Sequence, residues 1–307
     1  MLKPRALRSG DRVAVIAPAS PFDRDEFDDG IAELTQLGFE PVFDDTVFAR
    51  RAYLAGDAAG RAESFLRAWR DPAIAGLIAA RGGYGSVHML PWLKTDEIRA
   101  APKPFVGYSD LTSVLTYLTI NCRLVSFHGP MLAGRLSRRE AGYDRPSFLG
   151  CLTKAQPLGE LAPSGLESIK RGTAEGPLYG GTLTQLAASL GTPYAFHPPD
   201  RHILFLEDVS ERPYRLDRML TQLRLSGVLN AAAAIVFGEL PKCDEPGGDP
   251  TARDTIADVL HDFPGPVLFG FPSGHTAGPA VTLPFGVRAR VIADGHPRMV
   301  IEEAAVA

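Results

Sequence analysis

Apolar runs and helix-spaced segments alternate regularly from residue 12 to about residue 130. Strand-like runs fall at 12–17, 39–43, 74–79, 104–107 and 124–127, with helix-like segments between them at 24–37, 57–70, 85–93 and 110–121. Leu34 and Leu37, then Phe65, Leu66 and Trp69, recur at helical spacing and should turn toward a sheet. This alternation predicts an α/β unit, a doubly wound parallel sheet covered by helices on both faces. Ligands of such sheets bind beyond the carboxyl ends of the strands.

From about 134 to 176 the pattern fails. Gly134 through Glu140, Pro157, Pro163, Gly165 and Gly172 punctuate a polar stretch, which reads as an interdomain linker over 136–175 with one short helix near 146–153. The pattern resumes with Tyr179-Gly180-Gly181, a helix over 182–190 and a strand at 202–207. A helix at 211–226 follows, with Leu216, Met219, Leu220 and Leu223 as its apolar stripe. A strand through Ala233–Phe237, a helix at 251–262 and strands at 265–271, 286–293 and 297–302 complete the series. The expected organisation is an α/β domain over 1–135, the linker, and a smaller β-rich α+β domain over 176–307.

Composition narrows the function classes. The chain has 307 residues, 45% of them hydrophobic and 22% charged, enough for a sizeable core. A formal net charge of −4, with both signs interspersed, gives no footprint for nucleic acid. Cys122, Cys151 and Cys243 are odd in number and far apart, so a disulfide framework is not expected and a reducing compartment fits. The apolar run Val13–Ala17 is too short for a signal-peptide core and stops at Pro18. No stretch approaches the ~20 apolar residues that span a bilayer. These features predict a cytoplasmic protein without a membrane partner.

The chemistry-bearing positions cluster at strand ends. Phe105-Val106-Gly107-Tyr108-Ser109-Asp110 brings an apolar run to a serine with a helix-favouring segment directly behind it. A serine on such a turn lies near free helical N–H groups, as acyl transfer requires, although serine is also a common helix N-cap. Arg81-Gly82-Gly83-Tyr84-Gly85 follows another strand of the same sheet, where glycines let a ligand approach the backbone. It is not GxGxxG and lacks the lysine of a phosphate loop, so no nucleotide cofactor is expected. Glu207 and Glu239 each end a buried strand and therefore need partners. Among seven histidines, His275 in the Gly/Pro-bounded loop Phe271–Gly278 is best placed, and His128 in Phe127-His128-Gly129-Pro130 is second. No spacing of His, Cys or carboxylates suits a metal.

Taken in order, these segments resemble the LD-carboxypeptidase family of serine peptidases. The matching pieces are Ala17-Pro18-Ala19-Ser20, Arg81–Gly85, Val106–Asp110, Phe127–Pro130, Tyr179–Gly181, Leu206-Glu207-Asp208 and Gly274-His275-Thr276, spread over residues 10 to 302. The resemblance implies a flavodoxin-like first domain, a homodimer and a Ser109–Glu207–His275 triad. The oxyanion hole would use the N–H groups of Asp110 and of Gly83 or Gly82, with Arg81, Gly82 and Tyr108 meeting the substrate. The expected substrate is a muropeptide losing its terminal D-alanine. One branch of the family instead cleaves processed microcin C and carries interdomain tryptophans. Here the only tryptophans are Trp69 and Trp92, both outside 134–176.

Two other readings compete. An α/β-hydrolase also orders its triad Ser…acid…His, but its elbow is GxSxG and Leu111 stands where the second glycine would be. A two-domain small-molecule binding protein could use the same cleft without chemistry.

Overall fold

A computed structural model describes all residues from Met1 to Ala307. The first sheet contains β1 (Arg12–Ile16), β2 (Glu40–Val42), β3 (Ile74–Ala79), β4 (Phe105–Gly107) and β5 (Ser126–His128), all parallel, in the order β2-β1-β3-β4-β5. This is the flavodoxin-like order, and it brings the loops after β1, β3 and β4 to one edge. Helices cover it because their apolar stripes need burial. In Ala58–Arg70, Ala62, Phe65, Leu66 and Trp69 are buried, and Asp57 caps the N-terminus by accepting from Gly60 N–H. In Arg24–Gln36, Phe27 and Leu34 face inward under an Asp23 cap.

The second sheet has eight strands: β6 (Gly159–Leu161), β7 (Glu167–Lys170), β8 (Thr173–Thr182), β9 (His202–Glu207), β10 (Ala232–Gly238), β11 (Val267–Phe271), β13 (Arg288–Ile292) and β14 (Arg298–Ile301). Its centre, β8-β9-β10-β11, is parallel, and antiparallel strands flank it on both sides. The remaining strand, β12 (Leu283–Phe285), crosses back to pair antiparallel with β5 in the first sheet. One continuous core therefore joins the halves, packing Val106 and Phe127 of the first sheet with Phe205, Val236 and Leu268 of the second. A smaller core lies under the helix Pro213–Leu225, where Leu216, Met219, Leu220 and Leu223 are all buried.

Several local expectations change. The stretch 136–175 holds the helix Arg145–Thr153 and the strands β6 and β7, which occupy the two edges of the second sheet. The expected helix at 85–93 is a set of 3₁₀ turns, Ser86–Trp92, with Pro91 inside them. A proline there removes an N–H donor and disfavours a regular α-helix. The segment behind Ser109 begins as a 3₁₀ turn, Ser109–Leu111, continues as α-helix over Thr112–Thr116 and ends as π-helix over Tyr117–Asn121. No helix is long and apolar enough to cross a membrane.

Candidate active site

Ser109 stands immediately beyond β4 with φ of +61°. A non-glycine residue rarely adopts that conformation, and such strain recurs at sites where a side chain must be held out at a sheet edge. The loop after β3 lies against it. A Cβ built on Gly82 would sit 3.0 Å from Ser109 Cβ and 3.3 Å from its Oγ, so a side chain here would press on the serine. Gly83 faces Ser20 instead, and Ser20 Oγ accepts from Tyr84 N–H at 3.1 Å. Backbone bonding in the chain engages the N–H of none of Gly82, Gly83 and Asp110.

The Asp110 carboxylate locks the two loops together. It accepts from Gly85 N–H at 3.2 Å and Ser86 N–H at 2.8 Å, while Ser86 Oγ donates to Asp110 O at 2.6 Å. Buried Arg61 reinforces the same junction by donating to the carbonyls of Pro18 and Gly85. Asp110 thus has a structural task besides the N–H role expected for it.

Glu207, at the end of β9, is fully buried. Its Oε2 accepts from His275 Nδ1 at 2.7 Å and from His275 N–H at 2.8 Å. Its Oε1 accepts from the Thr182 hydroxyl. Thr182 N–H in turn donates to Thr112 Oγ1 at 3.0 Å, so β8 ties the helix behind Ser109 to the carboxylate. Burial opposes the charge on Glu207, yet His275 and His128 beside it hold the carboxyl below its usual range. The neighbouring Asp208 caps the helix Leu183–Ser189 through Thr184 N–H and Oγ1, and burial pushes its carboxyl up to about 6.

His275 is one-fifth exposed, with its ring edge-on to Tyr108 at 5.1 Å between centroids. Its loop is clamped by Arg135, which donates to the carbonyls of Gly274 at 2.9 Å, Thr276 at 2.8 Å and Gly278 at 2.9 Å. Glu239 accepts from Ala277 N–H at 2.8 Å, a purely structural use of that carboxylate. Burial works against a charged His275, but the charge and hydrogen bond of Glu207 outweigh it and raise the imidazole pKa above the ordinary 6.5. If His275 serves as a base, the ring must be neutral, so kcat/KM should fall as pH drops through a value above 6.5. The sign for stability is opposite: the raised His275 contributes fully below its unfolded pKa and loses that contribution as pH rises through the folded value. A pH–rate profile with its acid limb at or below the ordinary histidine value would contradict this electrostatic reading.

The structure therefore brings the turn of Ser109, the glycine loop and the Glu207–His275 pair to one place. Ser109 is linked to His275 through its neighbour Tyr108, whose ring packs edge-on to the imidazole. Tyr108, expected to touch substrate, is largely buried, with its ring against both His275 and His128. Arg81 lies exposed at the mouth, with its guanidinium donating to Pro21 O at 2.9 Å. Thr182 and Arg135 escaped the sequence reading because their partners are far away along the chain. Only the Tyr-Gly-Gly motif directly before Thr182 pointed there.

Comparison with known proteins identifies the family. The family model for the LD-carboxypeptidase N-terminal domain matches residues 13–129, and that for the C-terminal domain matches residues 175–291. The probable murein peptide carboxypeptidase of Bacillus subtilis is 35% identical, covering 94% of this chain and 90% of its own. The murein tetrapeptide carboxypeptidase of Pseudomonas aeruginosa is 34% identical over 87% of this chain and 88% of its own. The solved structure of the microcin C7 self-immunity protein MccF superposes with a TM-score of 0.88 at 25% identity, covering 100% of both chains. With both domains matched and relatives more than 30% identical over most of both chains, the chain belongs to the LD-carboxypeptidase family of serine peptidases.

Proposed function

We propose that the protein removes the terminal D-alanine from murein tetrapeptides, with Ser109 as nucleophile, His275 as base and Glu207 as the group that orients the base. The observation that carries this reading is the 2.7 Å contact from His275 Nδ1 to a fully buried Glu207. That bond leaves Nε2 as the free nitrogen of the ring, the atom that must accept a proton from serine. Ser109 Oγ attacks the carbonyl before the terminal residue while His275 Nε2 takes its proton. The tetrahedral oxyanion meets the N–H groups of Asp110 and of the Gly82–Gly83 turn. His275 returns the proton to the departing amine, free D-alanine leaves, and water resolves the acyl-enzyme by the same route in reverse. Arg81, exposed beside this turn, is suited to the substrate's terminal carboxylate.

The names of the two murein relatives support the substrate class. MccF, also similar in fold, keeps hydrolysis of a microcin-type substrate as the second reading. Trp69 and Trp92 both lie outside 134–176, the interdomain stretch where the resemblance would put that branch's tryptophans. The family resemblance also supports a homodimer, and three free, buried cysteines suit a cytoplasmic setting.

Competition between the D-alanine tetrapeptide, its L-alanine epimer and a processed microcin C analogue tests the assignment. The D-epimer should be preferred by about 100-fold over the L-epimer, because inversion displaces the carbonyl from the oxyanion donors. Preference for either competitor would sink the substrate assignment and leave the serine mechanism standing.

A further inference from the structure

His128 is left over by the mechanism, yet it occupies the most constrained position near it. It ends β5, has no solvent exposure, and pairs in register with Leu283 of β12. Its Nδ1 lies 3.0 Å from Ser273 Oγ, and Ser273 Oγ donates its only hydrogen to Val281 O at 2.7 Å. Ser273 can therefore only accept from the ring, so Nδ1 carries a proton. The other nitrogen, Nε2, is buried without a hydrogen-bond partner and stands 3.9 Å from Glu207 Oε1.

If Nε2 were bare, its lone pair would face the carboxylate's lone pairs in an apolar enclosure, leaving Nε2 unsatisfied beside an oxygen already held by the Thr182 hydroxyl. A proton on Nε2 turns the same contact into an ion pair. Phe205 at 5.3 Å, Phe285 at 5.4 Å and Tyr108 at 6.0 Å enclose the imidazole.

We propose that His128 is held as an imidazolium behind Glu207 and is a positioning residue of the catalytic pair, sharing the carboxylate with His275 from the opposite side. This rests on the assignment of Glu207 and His275 above. The ionisable groups around the ring are Glu207 at the end of β9, His275 in the loop after β11 and Tyr108 after β4. Asp208 and Arg135 act on the same cluster with opposite signs. A positive His128 fixes Glu207 Oε1, so that Oε2 is kept for His275. It also opposes a second positive charge on His275, moderating the basicity that Glu207 confers and keeping the base neutral at lower pH.

Two measurements test this together. In ¹⁵N-histidine spectra of the wild-type enzyme at neutral pH, His128 should show both ring nitrogens protonated, whereas a bare Nε2 would overturn the proposal. In the His128→Gln variant, the acid limb of kcat/KM should move up by about one pH unit, as expected for removing one nearby positive charge, and the high-pH plateau should fall because Glu207 loses a group that fixes it. A folded variant with an unmoved limb would also overturn it. If the variant does not fold, the wild-type spectrum decides alone. The spectrum does not depend on the role of Ser109, so failure of the serine mechanism would be recognised separately.

Discussion

Ser109→Ala should fold as the wild type does and lose at least about a thousandfold in kcat, the scale seen when a triad nucleophile is removed. The side chain is only partly buried and supports no hydrogen bond in the junction, which is held by the Asp110 carboxylate and by Ser86. Stability should therefore be nearly unchanged, and circular dichroism with thermal melting checks it. His275→Ala should show a comparable loss, and the double variant should be little worse than either single one, because base and nucleophile act as a unit. If the two defects multiplied, His275 would have a role other than activating Ser109.

Gly274→Ala has the next largest expected effect, and under the proposed mechanism it acts through Glu207 rather than Ser109. Gly274 has φ of +76°, and a Cβ there would lie 2.6 Å from both Cδ and Oε2 of Glu207. The carboxylate cannot retreat, since its other oxygen is engaged by Thr182 and faces His128. Left-handed strain and overpacking together should cost about 2–5 kcal/mol of stability. Displacing Oε2 should also lower kcat/KM by about 100-fold or more, since small misplacements of a catalytic group are costly. Denaturant titration and steady-state kinetics on one preparation would check both, and a variant unchanged in either respect would refute the tight contact.

The legible part of this molecule was the part written locally. Ser109, Glu207 and His275 each follow an apolar run, and a polar residue ending a buried strand stands out in a sequence. The helix stripes at 58–70 and 213–225 were visible for the same reason, a 3.6-residue period with the apolar positions buried. What could not be read was the pairing of distant segments. β12 is three residues long, includes Pro284, and gains its meaning only by lying against β5 from more than a hundred residues away. β6 and β7 are short edge strands in a Pro- and Gly-rich stretch, where local composition argues for a loop. Arg135 looked like part of a polar connection, but its guanidinium fork suits the carbonyls of the His275 loop. His128 was visible as a strand-end histidine, but its contact with Glu207 depends on how the two sheets share one core.

The most direct test of the central claim is mass spectrometry of a murein tetrapeptide incubated with purified enzyme, with Ser109→Ala treated in parallel. The account predicts that the wild type converts the tetrapeptide to the tripeptide with release of one D-alanine, and that the variant leaves it intact. Equal conversion by both proteins, or wild-type cleavage at another bond, would contradict it.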